Sequence, residues 1–459
     1  MTDQTPHVSP AANAPKLSRD PSFWGITITQ FLGAFNDNLF KQLVLLLCID
    51  YKQFSKIDLQ PKAIVFFTLP FVFFSGFSGY LADRLSKQRI IVFCKFIEIG
   101  IAGLAMWVLL TKSGDPGERL SWSMLVLFLM GTHSSLFGPA KYGILPDLFR
   151  TSNLPNVNGI IMMTTFLAII LGTALAGFSK DWFRDQLWVV SAMGMVIAVV
   201  GTWTSLLIRR TTAVQPQLKW EWSSLAIPHE TWQFLKRDRA LVIVLLVASL
   251  FWFVGGATQQ IFNSYGKQQL QIGDSRTSLL GVFIALGIMI GCLLAGRLSR
   301  HRINFRLVTS GTWGMILSLL GLMMLGLFSP NMVTVPPVRP PVPLAELISC
   351  ESWIEFFSRI GFLILGLSAG LFIVPLQVFI QTRPPENQKG RMIGAMNLIN
   401  WIFILFSAAF YFAGAEVATR WGFAISYLFG SLAVILIPLA LWYRPKGESP
   451  STGNPATGT

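Results

Sequence analysis

Apolar residues in this chain come in long unbroken runs, and polar residues gather between them. Twelve runs can be marked, at 24–47, 62–82, 90–111, 121–142, 157–178, 187–208, 240–263, 278–297, 306–328, 354–380, 391–413 and 421–443. Runs of roughly 20 residues cross a hydrocarbon core as helices. Their continuity excludes barrel strands, which alternate apolar and polar positions. The pattern predicts an all-α polytopic membrane protein of twelve transmembrane helices in two pseudo-symmetric six-helix bundles, 23–208 and 240–443. A cytoplasmic linker is expected at 209–239. Disordered tails are expected at 1–22, which is cytoplasmic and carries no cleavable leader, and at 444–459.

Several runs are interrupted by charge. The first, WGITITQFLGAFNDNLFKQLVLLL, carries Asn36, Asp37, Asn38 and Lys41 near its middle. A lone charge at that depth costs about 2.5–3.5 kcal/mol on the lenient insertion scales. Asp37 and Lys41 are four residues apart, so they share a helix face and can offset each other. A polar face inside a span looks into a bundle or a watery cavity. It is read here as the first wall of a transport pathway. Lys141 falls in the fourth run beside Gly138, Pro139 and Gly143. Lys95 and Glu98 fall in the third, and their three-residue spacing suits a same-face pair. His133 is a lone histidine among small residues and reads as a satisfied core group. The second half offers amides instead: Gln259, Gln260, Asn263, Gln377, Gln381, Asn397 and Asn400. The reading is a division of labour, with an ionic first half and an amide-lined, apolar second half.

Composition agrees. The 459 residues are 53% hydrophobic and 13% charged, against about 25% charged in soluble chains. The net charge of +14 belongs with loops that hold a membrane protein's inner side, not with nucleic acid. With both termini inside, the inner segments hold 21 basic residues and the outer ones 12. Cys48, Cys94, Cys292 and Cys350 form no spacing pattern and imply neither metal nor disulfide. No phosphate loop, nucleophile elbow or zinc helix is present, so the expectation is a non-enzyme without cofactor, not driven by ATP within this chain.

The chain repeats itself. Leu81-Ala-Asp-Arg-Leu-Ser-Lys-Gln-Arg89 follows the second run, and Leu294-Ala-Gly-Arg-Leu-Ser-Arg-His-Arg302 follows the eighth, with six of nine positions identical. A repeat at one place in two six-span halves indicates a duplicated bundle with its site between the halves. The gate motif is Gly79, Asp83, Arg84 and Arg89, with Arg297 as repeat partner. The arginines and Asp83 are expected to clamp the inner gate, lopsidedly, because Gly296 replaces the carboxylate in the second copy. The linker, with Trp220, Trp222 and Trp232, reads either as a surface helix or as a plain connector. The Pro-rich loop 329–343 reads as a stiff outer spacer.

Gly79-x-Leu-Ala-Asp-Arg-x-Ser-Lys-x-Arg89 resembles the loop signature of the major facilitator superfamily, with Ser86 and Gln88 as departures. More narrowly, Gln30-Phe-Leu-Gly-Ala-Phe-Asn-Asp-Asn38, Phe137-Gly-Pro-Ala-Lys-Tyr-Gly-Ile-Leu145 and Val374-Pro-Leu376 resemble the lysophospholipid transporter family, members of which also occur fused to acyltransferase and acyl-carrier-protein synthetase domains. The resemblance implies movement of lysophospholipids from the outer to the inner leaflet of a bacterial inner membrane, for reacylation. No acyltransferase domain is expected in this chain, so a separate acyltransferase would be the partner of a monomeric carrier. Gln260 stands where relatives carry a basic residue, which puts a cation role for that helix in doubt.

For the substrate and coupling site the candidates are Asn36, Asp37, Asn38, Lys41, Lys141, Gln260 and Gln377. Asp37 can bind a proton, a sodium ion or the ammonium of a headgroup, or else hold helices together through Lys41 or Lys141. Lys141 can bind a lysolipid phosphate as a point charge, or else snorkel to the inner face. The alternative functions are a proton-coupled carrier of a small or drug-like molecule, and a carrier-shaped receptor or scaffold.

Overall fold

The computed structural model describes residues 17–55, 57–111, 115–150, 153–213, 216–217, 235–299, 304–329, 342–343, 346–383 and 389–443. The linker tryptophans, most of the Pro-rich loop and most of both tails lie outside these residues.

The first half is built from α1 (Pro21–Ser55), α2 (Gln60–Arg84), α3 (Lys87–Thr111), α4 (Pro116–Gly143), the single turn α5 (Leu145–Leu148), α6 (Leu154–Trp182) and α7 (Trp188–Ser205). The second half has α8 (Arg239–Ser264), α9 (Asp274–Ser299), α10 (Arg306–Leu327), α11 (Trp353–Thr382), α12 (Lys389–Trp421) and α13 (Tyr427–Trp442). No strand occurs among the described residues. Starts follow local chemistry. Asp115 accepts from the Gly117 amide at 2.8 Å with Pro116 at the first helical position, Asp238 from Leu241 at 3.1 Å, and Ser352 from Glu355 at 3.1 Å. Each satisfies an amide that the first helical turn leaves bare.

Eleven helices are long and apolar enough to cross a membrane. The expected twelfth span is α13, of 16 residues, shorter than the predicted 421–443. The difference arises at Gly422, whose φ of +68° breaks the backbone right after α12 ends at Trp421. A left-handed residue cannot continue an α-helix, and glycine adopts it without steric cost. Conversely, α8 runs on past its predicted end through a π-turn at Tyr265–Gln269.

In the first half α1 packs on α6 and α7, α2 on α4, and α3 on α4 and α7. In the second, α9 and α10 pack on α11, α8 on α12, and α10 on α13. Apolar cores form within these groups, around Leu43, Val44 and Val108 in the first and Phe362, Phe372 and Phe429 in the second. Lipid gives helices no hydrophobic reason to associate, so close approach through small residues matters. Gly287 and Gly291 of α9 meet the Leu363 and Leu367 carbonyls of α11. In return, Gly366 and Gly370 meet the Ile284 and Ile288 carbonyls. A methyl at any of these four sites would overlap backbone.

The halves meet along two seams. Gly177 of α6 lies against Asp274 and Ser278 of α9. Phe71 of α2 stacks on Trp401 of α12 with centroids 3.8 Å apart.

Candidate functional site

Three polar assemblies stand out among the described residues: a cation layer, a charged cluster within the first half, and a closure between the halves at the end away from the termini.

Lys141, on the last turn of α4, forms the cation layer. It is buried, at 8% exposure, so the snorkelling alternative does not describe it. Its Nζ donates to Gln30 Oε1 at 3.2 Å and lies 4.8 Å from the Tyr142 ring centroid. Gln30 in turn donates to Thr164 at 2.6 Å and accepts from Thr165 at 2.7 Å, tying α1 to α6. No carboxylate pairs with Lys141 among the described residues. A buried cation without a counter-ion costs several kcal/mol, and its neighbours here are neutral dipoles and a π-face. What it lacks is an anion.

Two turns further along the same helices, Asp37 accepts from Ser134 Oγ at 2.5 Å. Seven residues of α-helix rise about 10 Å. Asp37 and Lys141 therefore occupy separate layers and do not pair. Nor does Asp37 pair with Lys41, despite the four-residue spacing. The Lys41 ammonium lies over the Phe67 ring of α2, 5.4 Å from its centroid. Lys41 still acts on Asp37 through its charge, but the direct contact is a hydroxyl, because helix packing turns Ser134 toward Asp37 and Phe67 toward Lys41. Asn38 bonds its own helix at the Ala34 carbonyl, 2.8 Å away. Asn36 donates to Glu98 at 3.1 Å.

Glu98 anchors the charged cluster. It pairs with Lys95 at 2.6 Å, at side-chain exposures of 4% and 1%. The expected same-face pair is present, but deep inside the bundle and joined by Asn36 and His133. His133 Nε2 lies 3.7 Å from Glu98 Oε2, and the ring also has Ser134 3.4 Å from Nδ1 and a backbone hydrogen bond to Cys94. A small cavity runs beside the cluster, lined by Asn36, Asp37, Glu98, His133 and Ser191.

The closure is built where the sequence offered only boundary charges. Lys180 of α6 pairs with Asp50 of α1 at 2.6 Å and with Asp274 of α9 at 2.5 Å. Lys267, after α8, pairs with Asp274 at 2.6 Å and also with Asp50. Two cations and two anions alternate in a ring, one of each from either half. Beneath it Gln42 donates to Asn263 at 2.7 Å, Asn263 to Gln60 at 3.1 Å, and Tyr411 to Asp58 at 2.7 Å. The amides expected to line a substrate path thus include a seal. Gln260 is fully buried, its amide turned to its own helix at the Gly256 carbonyl. Gln377 is half-buried on α11, and the Gln381 side chain lies outside the description. The sequence signal for the ring is that Asp50 and Lys180 fall near the C-terminal ends of α1 and α6, Lys267 just after α8, and Asp274 at the start of α9.

At the end bearing the termini, Lys87 pairs with Asp147 at 2.7 Å. Asp20 pairs with Arg209 at 3.0 Å, and Asp238 with Arg383 at 3.0 Å. Each of these pairs stays within one half. Of the gate motif, Asp83, Arg84, Arg89 and Arg297 are exposed, and a Cβ on Gly79 would meet nothing within 4 Å. Arg84 lies over the Tyr80 ring of its own helix and donates to its hydroxyl.

Two bundles of long apolar helices, sealed to each other by a polar closure at one end and holding charge inside, define a polytopic membrane carrier. The chain belongs to the Major Facilitator Superfamily, whose family model matches residues 26–408. It is similar to the lysophospholipid transporter LplT of Photorhabdus laumondii subsp. laumondii, at 27% identity over 91% of this chain and 95% of the relative. It is likewise similar to LplT of Yersinia pestis, at 27% identity over 87% of this chain and 88% of the relative. Among solved structures, the POT family transporter PepTSo superposes with a TM-score of 0.65 at 13% identity, covering 93% of this chain and 97% of that one. The nucleoside transporter NupG gives 0.60 at 13%, covering 91% and 98%. At these identities the superpositions speak to fold alone.

Proposed function

We propose that this chain is a secondary carrier that moves lysophospholipids from the outer to the inner leaflet of a bacterial inner membrane, where a separate acyltransferase reacylates them. The observation that carries the reading is Lys141, a buried ammonium without a carboxylate partner among the described residues. A lysolipid has one phosphate to offer it. A point-charge ammonium suits a phosphate. The similarity to proteins named lysophospholipid transporters supports the same substrate class. Asp37, one layer deeper, is left for coupling or for the headgroup's ammonium. Both termini lie in the cytoplasm, as the basic-residue bias indicates, and the ion ring then closes the outer side.

Binding of lysophosphatidylethanolamine to the purified protein tests this. Truncation of one partner of a buried charge pair costs about 2–5 kcal/mol. Lys141→Ala is therefore expected to weaken binding by at least about tenfold, with Lys141→Arg keeping most of it. Unchanged affinity in Lys141→Ala would remove the phosphate site.

A further inference from the structure

Beside the ion ring lies a second buried ammonium that lacks an anion. Lys52 stands on the last turn of α1 and is 6% exposed. Asp50, two residues earlier, turns into the ring. A step of two residues rotates about 200° around a helix, so Lys52 leaves the ring on another side. Its Nζ makes one long hydrogen bond, to Gln268 Oε1 at 3.4 Å, and it pairs with no carboxylate among the described residues. Gln268 follows Lys267 in the π-turn after α8 and is fully buried. Its Nε2 has no hydrogen-bond partner among the described residues. Turning the amide over would set Nε2 against the ammonium, donor against donor, and cures nothing. One buried donor group from each half is thus short of acceptors, and such donors cost free energy until something accepts from them.

The nearby carboxylates are committed elsewhere. Asp58 accepts from Tyr411 at 2.7 Å, from the Gln60 backbone amide at 2.9 Å and side chain at 3.1 Å, and from Ser264 at 3.2 Å. Glu416 holds Arg420 at 2.9 Å. Asp50 and Asp274 belong to the ring. Lys52 lines a recess where α1, α2 and α12 meet, with Asp58 and Tyr411 also buried in its floor. Ile57 and Phe412 stand exposed at its rim, with Glu416 beside them. A buried cation at the bottom and apolar side chains at the mouth match an amphiphile that enters headgroup first. A free inorganic anion gains nothing from such a rim.

We propose that Lys52 and Gln268 bind the phosphate of a lysolipid headgroup at the end of the carrier that bears the ring, in a site separate from Lys141. The proposal rests on the lysolipid reading of the cargo. Phosphate oxygens accept from the Lys52 ammonium and from Gln268 Nε2, which gives both groups the acceptors the protein withholds. The rim carboxylate of Glu416 then favours an ethanolamine ammonium over an uncharged glycerol. Lys52 belongs to the first half and Gln268 to the second. Opening of the ring end therefore parts the two groups and lets the phosphate go as the halves move.

Native mass spectrometry of the purified full chain counts the lysolipids bound, with lysophosphatidylethanolamine and lysophosphatidylglycerol as probes. Wild type is expected to bind two, one at Lys141 and one at Lys52. Lys52→Ala should weaken one of them by at least about tenfold, Lys52→Arg should keep it, and Lys141→Ala should lose the other. Gln268→Glu gives Lys52 a carboxylate of its own. It should raise the unfolding temperature of the ligand-free protein and lose the Lys52-dependent lipid, and it keeps the count readable if Lys52→Ala fails to fold. In the Lys141→Ala background, Glu416→Gln should narrow the preference for the ethanolamine probe by roughly two- to fivefold. A wild type that binds one lysolipid, lost in Lys141→Ala and untouched by Lys52→Ala and Gln268→Glu, overturns the site and keeps the cargo. One lysolipid lost in Lys52→Ala and Gln268→Glu but kept in Lys141→Ala supports the site and removes the phosphate role of Lys141. A folded wild type that binds neither probe overturns both. Displacement of the Lys52-dependent lipid by millimolar inorganic phosphate assigns the site to a free anion and overturns the lipid occupant.

Discussion

Gln30 and Asp37 stand two turns apart on α1, and what each meets decides what it can do. Gln30 meets a buried ammonium, Lys141, and two threonines. Asp37 meets a serine. The sequence showed that Asp37, Lys95, Glu98 and Lys141 interrupt apolar runs, and a polar interruption inside a membrane is always informative. It did not show the partners. Four-residue spacing put Lys41 on the face of Asp37, but packing against α2 offered that ammonium a phenylalanine ring. Such a contact is worth about 0.5–2 kcal/mol and competes with a partly desolvated pair. Lys95–Glu98 was legible because both ends lie on one helix. Its links to Asn36 and His133 were not, because they depend on which helices adjoin. A Cβ on Gly33 would sit 2.7 Å from Lys95 Nζ, so Gly33→Ala should push Lys95 off Glu98. Overpacking of this kind costs about 1–3 kcal/mol, visible as a lower unfolding temperature of the solubilised protein. Gly103→Ala, whose Cβ would meet its nearest neighbour at 3.4 Å, should be close to neutral. Equal stability of the two variants would contradict the tight fit around Lys95.

At the scale of elements, hydrophobic run length placed most long helices to within a few residues, because about 20 apolar residues in lipid have few alternatives to a helix, although α1 and α12 each run eight residues past the predicted end. The errors have local causes. Gly422 cuts the last helix short, and the π-turn at Tyr265–Gln269 extends α8 so that Lys267 reaches the ring. An extra residue in a helical turn commonly marks a working position. Pairing of helices was not legible, since it depends on small residues that run length ignores. At the α6–α9 seam, a Cβ on Gly177 would overlap Asp274 and Ser278. Gly177→Leu is therefore expected to wedge α6 from α9 and prevent closure of that end. Spin labels at Trp182 and Ile348, both exposed, should report a longer distance. The same labels should report no change in Gly321→Leu, whose Cβ would meet nothing within 4 Å.

Across the whole molecule, the ring of Asp50, Lys180, Lys267 and Asp274 has a property no single pair has. Each half contributes one cation and one anion that already pair with each other, Lys180 with Asp50 and Lys267 with Asp274. Opening breaks the two cross-half pairs and leaves neither half with an unpaired charge, so the desolvation penalty that usually locks a buried network is small. That suits alternating access, in which halves rock about a central site. Exchanging the charges of one half alone, with Asp50→Lys and Lys180→Asp together, keeps its internal pair but sets like charges across the seam. The end that carries the ring should then stay open by the same label distance. Adding Lys267→Asp and Asp274→Lys should close it again. A double exchange that stays closed would show that the amide layer beneath, and not the ring, holds the halves.

The identity of the cargo is tested by lysophosphatidylethanolamine movement between leaflets of proteoliposomes containing the wild-type protein. Protein-dependent movement of the lysolipid, without comparable movement of diacyl phosphatidylethanolamine, and lost in Lys141→Ala, is the predicted result. A folded wild type that leaves lysolipids in the leaflet where they were added, with or without a pH gradient, would contradict it.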